Sequence, residues 1–275
     1  MAKHYLSKSK LLSFLQCPRR LYLEVKQPEL ASPSDGAMAI MAAGHTVGEV
    51  ARSLHAGGIL IESQGNLSEA IRQTAQHLAD KQRKPLFEAT IQHDGTLVRT
   101  DLLLPEKKAW QLVEVKSSTS VKDYHRLDAA IQRFVLEKAG VAVDSVAIQF
   151  IDNTFVYPGK GCYHQVKRNG EVNSLFAKED VSADIAPLVK KDVAGWIKAA
   201  RKTLDGKLPP MTDNCDDPYE CPFKAYCHAD APEYPVDCLP RIGAQAASLR
   251  AQGYDDIRDI PTGVLANPVQ ERVRK

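Results

Sequence analysis

Between residues 86 and 116 apolar and polar positions alternate with period two, in LFEATIQ, LVRTDLLL and AWQLVEVK. The turn signal His93-Asp94-Gly95 separates the first pair, and the polar stretch Pro105 to Lys108 separates the second. Successive side chains of a strand point to opposite faces, so this pattern predicts an antiparallel meander of three strands. On both sides the period lengthens to that of a helix. Residues 67 to 83 align Leu67, Ala70, Ile71, Thr74, Ala75 and Leu78, and residues 122 to 139 align Leu127, Ala130, Ile131, Phe134 and Val135 before a stop at Gly140. The apolar segment VAIQFI then predicts another strand.

Nearer the start, Ser9 is placed to cap a short helix through Gln16, RRLYLEVK predicts a second helix after Cys17-Pro18, and Ala37 to Leu54 a third. A short strand, ILIES, follows Gly57-Gly58. Further on, a hairpin around Pro158 to Lys160 and a long helix from Ala183 to Leu204 complete the main body. The order helix, three strands, helix, strand predicts an α/β fold with a sheet buried between helices. The expected division is a main domain over residues 1–237 and a helical tail or connector over 238–275, with two short helices around Gly253.

Composition narrows the function classes. The 275 residues are 44% hydrophobic and 25% charged, which excludes a disordered or collagen-like chain. No apolar run approaches the ~18 residues of a membrane span. The start MAKHYLSKSK lacks the apolar stretch of a signal peptide, so the expected location is the cytoplasm. The net charge of +2 is unevenly spread. Residues 1–26 are basic, with Arg19 and Arg20 among their cations, and residues 211–237 are acidic. The basic element is suited to phosphates, or to pairing with the acidic segment.

The meander carries the candidate chemistry. With Pro105 to Lys108 as the turn, Asp101 lies opposite Leu112 and diagonal to Glu114, at roughly 7 Å between Cβ atoms. Lys116 shares a face with Glu114. Two acids and a lysine at a sheet end suit phosphodiester hydrolysis, because carboxylates hold Mg²⁺, the metal acidifies a water, and an ammonium stabilises developing charge. The bland alternative is an exposed cross-strand ion pair, and the same triplet at Glu24-Val25-Lys26 reads as surface charge. Glu88 and Glu49 are each available as a further ligand or as solvated carboxylates. Gln132 orients substrate or water, or forms the polar side of its helix. Tyr124 and His125, at that helix's start, either touch substrate or cap it.

Six cysteines without an export signal point to metal binding or burial rather than to disulfides. Cys215, Cys221 and Cys227 form C-x5-C-x5-C in a segment poor in large apolar residues, and Cys17 is the natural fourth thiolate. Four thiolates suit zinc or an iron–sulfur cluster, and the spacing is wider than that of zinc ribbons. Cys162 is expected in the core, and Cys238 is a substitute ligand.

Together, Cys17-Pro18-Arg19-Arg20, Arg99-Thr100-Asp101, Glu114-Val115-Lys116, a helix bearing Gln132, and Cys215, Cys221-Pro222-Phe223 and Cys227 resemble the PD-(D/E)XK nuclease superfamily. The likeness is to its RecB-like branch with a four-cysteine [4Fe–4S] cluster, as in CRISPR adaptation exonucleases and the AddB nuclease domain. EVKSSTSVKDYHRLDAAIQ also resembles an uncharacterised bacterial family of RecB-like nucleases whose longer members continue into a further nuclease-like domain. The resemblance implies a restriction-endonuclease-like α-β-β-β-α-β core whose cluster joins the N- and C-terminal segments. It implies DNA, single-stranded or at ends, as substrate. Asp101 and Glu114 would be the Mg²⁺ or Mn²⁺ ligands, Lys116 the catalytic lysine and Gln132 its helix partner. Cys17, Cys215, Cys221 and Cys227 would hold the cluster. Where relatives carry a metal-binding His on the early helix, this chain has Gly48-Glu49 with His45 one turn earlier, so Glu49 or His45 is the implied third ligand. Apart from the resemblance, Arg19, Arg20, Tyr124 and His125 are candidate substrate contacts.

Overall fold

The computed structural model describes residues 5–62, 65–166, 170–212 and 214–275. They form two compact units, Met1–Phe223 and Lys224–Lys275, so the division falls earlier than the sequence reading placed it. Among the described residues no helix is long and apolar enough to cross a membrane.

The first unit opens with β1 (Leu6–Ser7), α1 (Lys8–Gln16), α2 (Pro18–Lys26), α3 (Asp35–Ser53), β2 (Ile59–Leu60) and α4 (Leu67–Ala79). The meander follows as β3 (Leu86–His93), β4 (Thr96–Glu106) and β5 (Ala109–Lys116). Next come α5 (Asp123–Lys138), β6 (Val143–Ile151), the small hairpin β7 (His164–Val166) and β8 (Val172–Ser174), β9 (Phe176–Asp180), α6 (Ser182–Lys191) and α7 (Val193–Asp205). The second unit contains α8 (Lys224–Cys227), α9 (Gln245–Ala251) and α10 (Pro268–Arg274), and has its own small core of Val236, Leu239, Leu249, Ile257 and Ile260.

The fold of the first unit is α/β. A seven-stranded mixed sheet runs β2-β3-β4-β5-β6-β9, with β1 alongside β4. The meander is antiparallel, whereas β5 and β6 are parallel and need the α5 crossover between them. One sheet face buries Ala89, Leu103, Leu112 and Ile148 against α5, α1 and α7, and the other packs Phe87, Leu102 and Val113 against Ala51 of α3. At Gly58 an added Cβ would lie 2.1 Å from Phe87 Cζ, so this close approach of backbone to ring requires glycine.

Several expectations shift by local chemistry. Ser7, not Ser9, caps α1, its hydroxyl accepting from Lys10 N at 3.3 Å. The long helix breaks at Asp192 into α6 and α7, and Pro187 interrupts the hydrogen-bond ladder inside α6. Pro158 to Lys160 lie in a loop, and the hairpin there is β7–β8. The charged strand β9, which has no apolar alternation to betray it, pairs with β6 at the sheet edge.

The most consequential shift is the β4–β5 register. Glu106 pairs with Ala109, so the turn is Lys107-Lys108, with Lys107 at φ 41°. Pro105 is inside the strand, tolerated because β3 pairing ends at Leu103 and no neighbour on that side asks for its missing N–H. The register is therefore two residues from the expected one. Asp101 comes level with Glu114, one step beyond the last regular pair, Leu102 with Val113. Asp101 is also irregular on its other side. The ladder between β3 and β4 skips Glu88 and Asp101, Glu88 has φ 56°, and the buried alternation shifts by one residue across them.

Candidate functional site

That irregularity aims the Asp101 side chain along β5, where Oδ2 accepts from Val115 N at 2.7 Å. Glu114, two residues before the end of β5, is 2% exposed. Period two puts Lys116 on the same face, and its Nζ lies 2.6 Å from Glu114 Oε1 and 2.6 Å from Asp128 Oδ2. Asp128 comes from α5. One turn further along that helix, Gln132 Nε2 donates to Glu114 Oε2 at 2.5 Å and to Asp128 Oδ1 at 3.0 Å. A second ammonium, Lys8 at the start of α1, spans Glu114 Oε1 at 3.0 Å and Asp128 Oδ1 at 3.1 Å. Asp101, Glu114, Lys116 and Gln132 are thus brought together, with Asp128 and Lys8 added.

Glu114 and Asp128 alternate with the two lysines in a closed square. Burial pushes the Glu114 pKa up to about 7, and Asp101 and Asp128 add to that rise. Burial acts on Asp128 in the same direction, but Lys116 and Lys8 outweigh it and hold its carboxyl well below the usual range. Burial raises the pKa of Asp101 too, against the two lysines. Neighbouring carboxylates driven apart in this way are a recurrent feature of acid–base sites.

Sequence reasoning missed Asp128 and Lys8. Asp128 had a signal: His125, Asp128 and Gln132 follow each other by three and four residues, so three polar groups share a buried helix face with Ala129 and Val135 nearby. Lys8 had none beyond the basic character of its segment.

The other candidates are placed as follows. His45 and Glu49 are exposed on α3. Glu88 pairs with Arg52 at 3.1 Å. His125 is buried and caps α5, its Nδ1 accepting from Lys122 N at 3.1 Å; burial and the charge of Lys116 lower its pKa to about 4, so it is neutral. Tyr124 packs edge-on against His125 and Tyr219, at ring separations of 4.3 and 4.9 Å. Arg20 is bound to Glu24 at 2.9 Å and to Gln16, while Arg19 Nε is buried with no hydrogen-bond partner among the described residues. A cavity of about 660 Å³ opens beside these residues, lined among others by Ser9, Gln16, Arg20, Tyr124, Asn214 and Tyr219.

For a hard cation the donor chemistry fits. Asp101, Glu114 and Asp128 supply carboxylate oxygens, with Glu114 pushed toward neutrality by its burial and then by the other two acids. Gln132 Oε1, fully buried, has no donor among the described residues. The arrangement is that of an ion-pair square, and among the described residues no three His, Cys, Asp or Glu side chains are grouped to hold a metal ion.

That statement covers the cysteines as well. Cys17 caps α2 from a buried position, Cys221 is buried, and Cys215 is half-buried with its carbonyl accepting from Cys221 N at 2.7 Å. The loop bearing the last two is stitched to the end of α1: Gln16 Nε2 donates to Asn214 O and Tyr219 O, both at 2.7 Å. Cys227 ends α8 in the second unit. Cys162 is half-exposed in a loop rather than in the core, and Cys238 is exposed.

The sequence matches no protein-family model and no curated protein. Among solved structures, that of SSO0001 is similar over 83% of this chain and 87% of its own, at 16% identity and a TM-score of 0.45.

Proposed function

We propose that the chain is a Mg²⁺- or Mn²⁺-dependent nuclease that hydrolyses phosphodiester bonds of DNA, in single strands or at ends. One observation carries this reading. Four residues singled out for that chemistry, spread over β4, β5 and α5, converge on a single buried cluster. A Glu-x-Lys triplet arising by chance on a surface strand has no reason to gather an acid from the neighbouring strand and an amide from the next helix.

Asp101 and Glu114 would hold the cation, with Asp128 beside them. When bound, the metal would polarise a phosphoryl oxygen and acidify a water. Lys116, fixed by Asp128, positions an ammonium where charge develops on the phosphate. Gln132 orients the Glu114 carboxylate through Nε2 and offers Oε1 as an acceptor for a water proton. Tyr124 and Tyr219, which line the neighbouring cavity, offer ring faces on which a base can stack. The reading includes a [4Fe–4S] cluster on Cys17, Cys215, Cys221 and Cys227, and the sequence pattern is what supports it.

The test is cleavage of end-labelled single- and double-stranded DNA by anaerobically purified protein with Mn²⁺, beside Lys116→Ala. Products absent from the variant support the reading, and equal cleavage by both overturns the assignment. The self-neutralised square of Lys8, Lys116, Glu114 and Asp128 favours a second reading, a nucleic-acid-binding module without the chemistry. That module would bind DNA with a salt slope set by its phosphate contacts and yield no metal-dependent products.

A further inference from the structure

The two lysines of the square are not equivalent. Lys116 stands on a central strand, two residues from Glu114, so the strand's own pleat fixes it there, and both its contacts are 2.6 Å. Lys8 reaches in from the first residue of α1 with contacts of 3.0 and 3.1 Å. No acidic residue occupies the first turn of that helix, and a cation at a helix N-terminus opposes the positive end of the helix dipole. Among the described residues, Glu114 and Asp128 are the groups that hold the Lys8 ammonium. The Lys8 side chain is 19% exposed, close to the 18% of Lys116, so both have a path to water and the contacts and the dipole make the difference.

Charge counting separates the lysines further. Asp101, Glu114 and Asp128 carry three negative charges when ionised, and Lys8 and Lys116 two positive ones. Adding a divalent cation to the complete set would bury an excess positive charge, which a low-dielectric site resists. If one ammonium leaves as the dication arrives, three negative charges face three positive ones. The longer contacts and the unfavourable dipole select Lys8 as the one to leave.

We infer that Lys8 is a built-in counter-ion that keeps the place of the divalent cation and withdraws to solvent as the cation binds, so that metal entry is an exchange. This rests on the site taking a divalent metal, as in the function proposed above. It adds a specific consequence. Lys8 sets the metal affinity of the site by competing for Glu114 and Asp128, and it is not part of the loaded constellation.

The experiment uses the full chain and Mn²⁺ as the probe. Wild-type protein is reductively methylated with and without saturating Mn²⁺, and modification at each lysine is read by mass spectrometry. Labelling of Lys8 should rise several-fold with Mn²⁺ while that of Lys116 does not. In parallel, Mn²⁺ affinity is measured by electron paramagnetic resonance for wild type, Lys8→Met and Glu114→Gln. Lys8→Met should bind roughly tenfold more tightly, and Glu114→Gln should lose the site. If Mn²⁺ binds in a Glu114-dependent way but Lys8 stays protected, or Lys8→Met binds no more tightly, the exchange is refuted and the metal reading stands. Absence of Glu114-dependent binding in wild type refutes both. Should Lys8→Met fail to fold, the wild-type labelling decides alone.

Discussion

The charged square and the cysteine-bearing loop are both tied to α1, and they are held in opposite ways. The square is over-determined. Each of its carboxylates faces two ammonium groups and an amide, and its geometry is imposed by a strand pleat and a buried helix face. The loop around residues 214–221 has few apolar anchors and is joined to the body mainly by polar contacts, Gln16 with Asn214 O and Tyr219 O, Asn214 Nδ2 with Gln16 O and Ser34 with Glu220, beside the ring contact of Tyr219 with Tyr124. A site of the first kind keeps its shape from packing and charge alone, and a segment of the second kind asks for something more to hold it. That contrast gives the cluster proposal its physical content.

The largest effect expected is on chemistry. Lys116→Ala should reduce DNA cleavage by more than about 10³-fold, since it removes an ammonium aimed at developing charge, and gel assays read this directly. Cys221→Ala probes the other region. It should abolish the visible iron–sulfur absorbance of anaerobically prepared protein and lower Tm markedly, because loss of a cluster ligand is also loss of folding energy. An unchanged Tm would mean that the loop needs no bound group and would erase the contrast.

The pH dependence sharpens the description of the square. The Glu114 pKa is raised from 4.5 to about 7, so between those values the native chain keeps a proton that the unfolded chain has lost. The stabilisation from this group is therefore full below pH 4.5 and disappears as pH rises through 7, by about 3 kcal/mol in all. Urea unfolding in chelator across that range should show the slope in wild type and not in Glu114→Gln. The smallest effect belongs to the loop. Gln16→Ala removes three side-chain hydrogen bonds, two to loop carbonyls and one from Arg20, and should cost about 2–3 kcal/mol in the same assay, with no change in its pH slope.

Much of the architecture was legible without coordinates. Period-two alternation marked the meander, the 3.6 period marked α4 and α5, and their order predicted a sheet between helices, because these patterns are local consequences of which face is buried. Where local chemistry is ambiguous, the reading slipped. Pro105 looks like a turn residue, and only the early end of β3 lets it stay in a strand. The split at Asp192 and the charged edge strand β9 left no periodic trace.

For the candidate site, the sequence by itself determined the residue types: an acid, then Glu-x-Lys, then a helical amide, with cysteines at both ends of the main body. Tertiary structure decided which of them meet. The register that brings Asp101 level with Glu114 depends on a two-residue turn with no glycine to announce it. The acid that joins Glu114 in the square is Asp128 on α5, whereas Glu49 and His45 are exposed on α3, because α5 lies on the sheet face that carries Glu114. Lys8 joins across 106 residues of chain. Buried charges choose partners by proximity in three dimensions, and no spacing along the sequence encodes that choice.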